Sequence, residues 1–358
     1  MPDTSRSFKL FIIGVLLIFA SLIPYYWGLH QVQTKTVIRA ALDIGSGATK
    51  LRVAEIDLNE NKIVRTLVDE QRTVSYQHAL SQSGEMRFDE KTMQKGIQSI
   101  LELKKLAMEN QAQKVIGIAT AAFRKAVNGE EFIQRINEET GVPVTIVDQE
   151  MEGELGFLAV EASIPVDENT MVVWDIGGGS LQLTMLGPDK KMMIYRGHEA
   201  SIPFRNYVIQ NLQGRDIKDY ATPNPMTLDE MDEAEKHARL LARNVDQLFK
   251  DRLVNPKTKV YGIGSIFSRG IEPLVIKNPF TAKDLGDVTV GLVGMSDEDL
   301  GGGDFANVLV TNSLLVIGYM QELQIKEVQV VDVNIADGAF FFKPFWENEQ
   351  AIVEEVNQ

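Results

Sequence analysis

Cysteine is absent from the 358-residue chain. Disulfides, zinc–thiolate sites and thiol nucleophiles are therefore excluded. Histidine is scarce: His30, His78, His198 and His237 share no metal-ligand spacing and read as surface residues. Positive charge is also in deficit, with 36 Lys and Arg against 50 Asp and Glu and a net charge of −14. Residues 1–36 contribute Asp3, Arg6, Lys9 and Lys35, a local +2, which leaves −16 on the remainder. No basic stripe is present to neutralise a nucleic-acid backbone, so nucleic acid is not an expected partner. An anionic ligand would have to be held locally, by backbone amides, a metal ion and a few arginines. The remaining composition is ordinary, at 44% hydrophobic and 24% charged residues. That suits two globular domains, each burying its own core.

Leu10 to Leu29 is a run of 20 residues without a charge. At about 1.5 Å per residue it can cross roughly 30 Å of hydrocarbon. Arg6 and Lys9 precede it, and Tyr25, Tyr26 and Trp27 suit a lipid interface. A cleaved signal peptide or a core helix are the alternatives, but no small-x-small cleavage site follows. The expectation is a single-pass anchor over 10–29 in the inner membrane. Lysine and arginine are balanced at its two ends; the short tail before it favours a body outside the cytoplasm.

One short pattern occurs twice. Asp43-Ile44-Gly45-Ser46-Gly47 leads to Leu51, and Asp175-Ile176-Gly177-Gly178-Gly179 leads through Ser180 to Leu183, starting 132 residues later. Each copy follows an apolar run of β-formers and precedes alternating residues, which reads as strand, glycine turn, strand. Glycine turns leave backbone N–H groups bare, so a phosphate can approach them. An aspartate at the strand end can hold a hydrated Mg²⁺ beside that phosphate. A third glycine turn stands at Gly262-Ile263-Gly264-Ser265.

Between these turns the chain alternates strands and helices, an α/β arrangement. Helices are expected over 89–110, from a cap at Asn128 to 139, from Asp148 onward, and from a Thr227/Glu230 capping box to Lys250. Strands are expected at 115–119, 144–147, 259–263 and 328–333. Residues 283–304 read as mobile loops and 308–320 as a core helix.

The motif set and its order resemble the exopolyphosphatase/guanosine pentaphosphate phosphohydrolase family, within the sugar kinase/heat-shock chaperone/actin superfamily. The resemblance covers roughly 38–345. It rests on Asp43-Ile44-Gly45-Ser46, Ala119-Thr120-Ala121-Ala122-Phe123-Arg124, Glu152, Asp175-Ile176-Gly177-Gly178-Gly179-Ser180, Gly262-Ile263-Gly264-Ser265 and Asp337-Gly338. It implies two domains of duplicated ribonuclease-H-like (actin-like ATPase) topology: 37–160 plus 336–358, and 161–335. It implies that Asp43 and Asp175 face each other across a cleft and position Mg²⁺, that Arg124 clamps a phosphate, and that Glu152 is the general base. Phosphate contacts would come from Gly45, Ser46, Gly47, Gly177, Gly178, Gly179, Ser180, Gly262, Gly264 and Ser265. The substrate would be polyphosphate or guanosine pentaphosphate; a homodimer is one assembly left open.

The chain departs from the family pattern at several places. Gly47-Ala48 replaces Asn-Ser, Met151 precedes Glu152 where a second glutamate is usual, and Gln182 replaces a glutamate. Phe305-Ala306-Asn307 and Ala336-Asp337-Gly338 replace Arg-Ala-Asp and Arg-Glu-Gly. The phosphate cradle is intact and the catalytic set is thinned. A phosphate-ligand sensor without turnover is therefore the first alternative; a sugar-type kinase and an actin-like filament are the others.

Overall fold

A computed structural model describes residues 36–303 and 305–346. The expected anchor over 10–29 and residues 347–358 of the first expected domain lie outside the described residues. Among those described, no helix is long and apolar enough to cross a membrane.

The duplication seen in the sequence is a duplication of topology. In the first sheet β1 (Thr36–Ile44), β2 (Ala48–Asp57), β3 (Lys62–Thr73), β4 (Val115–Ala119) and β5 (Val144–Ile146) lie in the order β3-β2-β1-β4-β5. The second sheet is built from β6 (Met171–Ile176), β7 (Leu181–Leu186), β8 (Met192–Gly197), β9 (Lys259–Ile263) and β10 (Val328–Val330), in the order β10-β9-β6-β7-β8. In both, the first strand pairs antiparallel with the second and parallel with the fourth. The two glycine turns are also alike at the level of single bonds. The Gly45 amide donates to the Ala48 carbonyl at 3.0 Å, and the Gly177 amide donates to the Ser180 carbonyl at 2.9 Å.

The helices follow their local chemistry. Helices α1 (Tyr76–Gln82) and α2 (Glu90–Glu109) follow β3, and Asp89 caps the second by accepting from the Thr92 amide at 2.7 Å. Met93, Ile97, Ile100, Leu103 and Ala107 form its buried stripe, and Leu101 faces outward. Then come α3 (Ala121–Lys125), α4 (Gly129–Thr140) and α5 (Gln149–Ser163). Asn128 stands at the start of α4 as expected but does not cap it. Its amide instead exchanges two hydrogen bonds with the Phe88 backbone, tying α4 to the segment before α2.

In the second half, α6 (Ser201–Tyr207) runs into a π-helical turn over Val208–Leu212. The capping box of α7 (Leu228–Ala242) is formed by Thr227 and Glu230. This helix does not reach Lys250, because the chain breaks after Ala242 and restarts as α8 (Gln247–Leu253). Met231, Ala234, Ala238, Ala242, Val245 and Phe249 are all buried. The apolar stripe stays in phase across the break, so periodicity cannot register it.

After α9 (Glu272–Val275), residues expected as loops form α10 (Ala282–Val290), opened by a second capping box of Thr281 and Asp284. Helix α11 (Ala306–Glu322) is the buried helix expected from its apolar run. The last α-helix among the described residues, α12 (Ile335–Ala339), packs with α5 and the first sheet, where Ile335, Ala336 and Phe340 join Ala41, Ile56, Ile118 and Leu155. Strand β2 is consequently covered on both faces. Lys50 and Arg52, polar in an alternating pattern, are not on a solvated face: Arg52 is 5% exposed and meets Asp69, Asp332 and Asp337 at 3.3–3.4 Å.

Helix α12 approaches α5 so closely that a Cβ on Gly338 would lie 1.8 Å from the Leu155 carbonyl oxygen. Gly338→Ala is therefore expected to destabilise the fold by about 2 kcal/mol or more, read as a fall in thermal midpoint. Gly84→Ala, where nothing lies within 4 Å, serves as the neutral control. An unchanged midpoint in Gly338→Ala would contradict this docking.

Candidate active site

Both glycine turns open onto one cavity of about 430 Å³ between the sheets. A cavity of this size is within the usual range for small-ligand sites. The two turns touch. A Cβ on Gly178 would fall 2.9 Å from Ser46 Cβ, and one on Gly179 would fall 2.8 Å from Ser46 Oγ, so only glycine permits this approach. The turn carbonyls are bonded outward. Gln77 N donates to Ser46 O and Val74 N to Gly47 O, while Ser201 N and Ile202 N donate to Gly177 O and Gly178 O. The Gly45 and Gly177 amides are used inside their own turns. Among the described residues, the amides of Ser46, Gly47, Gly178 and Gly179 donate to no protein acceptor. Four bare N–H groups around one cavity suit an anion rich in acceptor oxygens.

Among the described residues, three carboxylates share the cavity: Asp43 from the end of β1, Glu152 from the first turn of α5, and Asp175 from the end of β6. Their environments differ. Asp43 is paired with Lys50 at 3.1 Å. Glu152 is 5% exposed and pairs with Arg124 at 2.7 Å, and it also accepts from Ser180 Oγ at 3.4 Å and Gln182 Nε2 at 3.3 Å. The Asp175 carboxylate makes no hydrogen bond or ion pair among the described residues. Gly264, at φ +83°, leaves room beside it, since a Cβ there would lie 3.0 Å from Asp175 Oδ1. Burial pushes Glu152 up to about 8; Arg124 opposes this and the Asp175 and Asp43 charges add to it. Burial likewise pushes Asp175 up to about 7, with Lys50 opposing and Asp43 adding.

Twelve of the site residues expected from sequence line the cavity: Asp43, Gly45, Ser46, Gly47, Glu152, Asp175, Gly177, Gly178, Gly179, Ser180, Gly264 and Ser265. Gly262 does not. It lies within β9, where a Cβ would strike the Phe267 ring at 2.7 Å, so its smallness serves the core. Arg124 is not a free clamp either, because its guanidinium is held by Glu152 and by the Val147 carbonyl at 2.6 Å. The structure adds Lys50, Gln77 and Arg205 to the lining. Lys50 stood inside the first repeated segment; nothing in the sequence singled out Arg205.

No group of three His, Asp or Glu side chains able to hold a metal ion is present among the described residues. The protein would offer Mg²⁺ two carboxylates, Asp43 and Asp175, of which Asp175 has no competing partner. Hard oxygen donors, few in number and leaving positions for water and substrate oxygens, fit the way Mg²⁺ is usually bound.

Residues 52–195 match the Ppx/GppA phosphatase family. An exopolyphosphatase 1 of Mycobacterium tuberculosis (strain H37Rv) is 30% identical over 143 residues, 40% of this chain and 40% of that protein. A bifunctional 3-dehydroquinate synthase/phosphatase of Fusobacterium nucleatum is 24% identical over 168 residues, 45% of this chain and 25% of that protein. The chain thus spans about 40% of the length of the mycobacterial relative. Among solved structures, the Aquifex aeolicus member of the Ppx/GppA family superposes with a TM-score of 0.68 at 21% identity, covering 87% of this chain and 99% of its own. An exopolyphosphatase from Cytophaga hutchinsonii gives 0.67 at 18%, covering 85% and 97%. The two-sheet α/β fold is therefore that of the Ppx/GppA proteins.

The raised Asp175 has a consequence for stability. Its ordinary value is 3.8 and its folded value about 7, so between these the folded protein holds a proton that the unfolded chain has released. Stability is then lost as pH rises through that window and stays lost above it. Asp175→Asn in Mg²⁺-free buffer is expected to raise the thermal midpoint at pH 8 and leave it unchanged at pH 4. The gain is at most a few kcal/mol. A midpoint lowered at pH 8 would mean that the charge of Asp175 is already compensated.

Proposed function

We propose that this protein is a Mg²⁺-supported phosphoanhydride hydrolase acting on inorganic polyphosphate or guanosine pentaphosphate. The observation that carries the reading is the set of four bare loop amides facing the same cavity as Glu152 and Asp175. The terminal phosphoryl group would lie against the amides of Ser46, Gly47, Gly178 and Gly179, which absorb charge as it develops on the equatorial oxygens. Asp43 and Asp175 would hold Mg²⁺, which when bound supplies positive charge against the phosphate oxygens. Glu152 orients a water and takes its proton as the water oxygen bonds to phosphorus. The bond from phosphorus to the bridging oxygen breaks, and the shortened chain leaves with that electron pair. Ser180 and Gln182 fix the carboxylate of Glu152, and Arg124 balances its charge in the buried site.

A second reading, a phosphate-ligand sensor without turnover, draws on one observation. The Oε2 atom of Glu152 is engaged by Arg124, Ser180 and Gln182 together, which ties up the base. Phosphate release separates the two. Residues 10–29 would tether the body to the inner membrane. Recovery of a soluble form beginning beyond Leu29 would replace the tether by a cleaved leader.

A base pushed up to about 8 must be deprotonated to act, so kcat/KM should rise with pH and level off above that value, or lower where Mg²⁺ neutralises the site. Glu152→Gln should reduce phosphate release about 10²–10⁴-fold and flatten the pH profile while ligand binding is kept. Retained activity in Glu152→Gln would remove Glu152 as the base. Wild-type protein that binds these substrates but releases no phosphate would establish the sensor.

Gln182→Glu tests the thinned catalytic set. The new carboxylate would replace an amide that donates to Glu152 at 3.3 Å. Without metal, two buried carboxylates at that separation share a proton, so the variant should be less stable than wild type at pH 8. Mg²⁺ should restore the midpoint and raise hydrolysis. A variant insensitive to Mg²⁺ in both measurements would exclude a metal at this end of the cavity.

A further inference from the structure

Among the described residues, two lysine or arginine side chains line the cavity, Lys50 and Arg205. Lys50 is neutralised by Asp43. Arg205, on α6, has no carboxylate within ion-pair distance among the described residues, although it is only 7% exposed. Its Nε and Nη2 donate at 3.2 and 2.8 Å to one neutral acceptor, the Oδ1 of its neighbour Asn206. Burial presses its pKa below the ordinary arginine value, with the more distant Asp297 opposing. Asp297 itself accepts from Thr222 and Asn224, both at 2.8 Å. A guanidinium has five N–H donors, and a buried charge without a counter-ion is costly unless an anion completes it. Asn206 holds one edge of the fork, no other acceptor engages the guanidinium among the described residues, and the residue lines the cavity.

The placement of Arg205 relative to the glycine turns is fixed by backbone. Ser201 N and Ile202 N donate to the carbonyls of Gly177 and Gly178 at 3.3 and 2.9 Å, which docks α6 onto the second turn. Arg205 stands one helical turn further along, on the order of 5 Å. That step is on the scale of one or two phosphoryl units of a linear chain.

We propose that Arg205 forms a second anion subsite in the cavity wall, taking a non-reacting phosphoryl group of a polyphosphorylated ligand whose terminal group lies on the glycine turns. The inference rests on the hydrolase reading for the identity of the first subsite, and it selects ligands by the number of linked phosphoryl groups. A monophosphate fills the turns alone; a chain of three fills both. Neutralising Arg205 therefore weakens the chain selectively.

The test uses two non-hydrolysable probes on the full-length protein in one Mg²⁺-containing buffer: bis-methylene triphosphonate and methylphosphonate. Wild type should bind the triphosphonate at least tenfold more tightly. Arg205→Gln should weaken triphosphonate binding roughly ten- to hundredfold, the usual worth of charge-assisted hydrogen bonds, and leave methylphosphonate binding unchanged. Asn206→Asp should do the same while keeping the guanidinium, because the new carboxylate would neutralise it in place. It decides the matter if Arg205→Gln does not fold. Triphosphonate binding equal to wild type in both variants, or equal loss of both probes, would overturn the subsite. Selective loss in the variants together with no phosphate release by wild type would uphold the subsite and defeat the hydrolase reading alone.

Discussion

Among the described residues, three carboxylates share one cavity, and they are not each matched by a cation. Asp43 has Lys50 and Glu152 has Arg124, but Asp175 has no partner among the described residues. Burial pushes Asp175 up to about 7 and Glu152 to about 8, against the opposing charges of Lys50 and Arg124. A site built this way is unfavourable for folding alone and, on the proposed function, would suit a bound cation carrying its own anion. The bare amides beside it complete the arrangement, since they offer partial positive charge where a phosphate would bring negative.

The rest of the fold supports that cavity. Duplication of one sheet topology places two strand ends, Ile44 and Ile176, so that the turns after them meet. The close contact of Gly178 and Gly179 with Ser46 leaves no space for a side chain and brings loop amides from both halves to one point. At the Arg52 cluster, by contrast, buried charge is paired: Arg52 collects Asp69, Asp332 and Asp337, and Asp69 also receives Arg269 from the second half at 3.0 Å. Buried ion pairs contribute little net stability, but removing one partner is costly. The Arg52 cluster therefore acts to hold β2, α12 and the Arg269 segment in register. The contrast with Asp175 separates structural charge from charge left open for a ligand.

Much of this was legible before the structure. The two Asp-Ile-Gly turns carry their own geometry, because an aspartate at a strand end and glycines after it dictate a turn with bare amides. Other features depend on contacts between distant segments. Lys50 reads as a polar residue on an alternating strand until Asp43 on the paired strand is seen opposite it. Arg52 reads as exposed until α12, far away in sequence, covers that face. Gln182 reads as the loss of an acid; the structure shows an amide donating to Glu152. Arg205 carries no motif, and its meaning comes from the docking of α6 on two carbonyls. The break after Ala242 is hidden because the apolar stripe stays in phase, and Gly262 counted as a phosphate contact until Phe267 was seen packed on it.

Proton release on Mg²⁺ binding tests the account most directly. At pH 7, calorimetric titration of Mg²⁺ in two phosphate-free buffers of different ionisation enthalpy counts the protons expelled. Carboxylates at about 7 and about 8 hold between them more than one proton at that pH, and a cation settling among them must displace it. The account predicts release of about one proton or more per ion bound, with less release in Asp175→Asn. Mg²⁺ that binds without proton release, or equal release in Asp175→Asn, would contradict a cavity whose open negative charge awaits a metal and its phosphate.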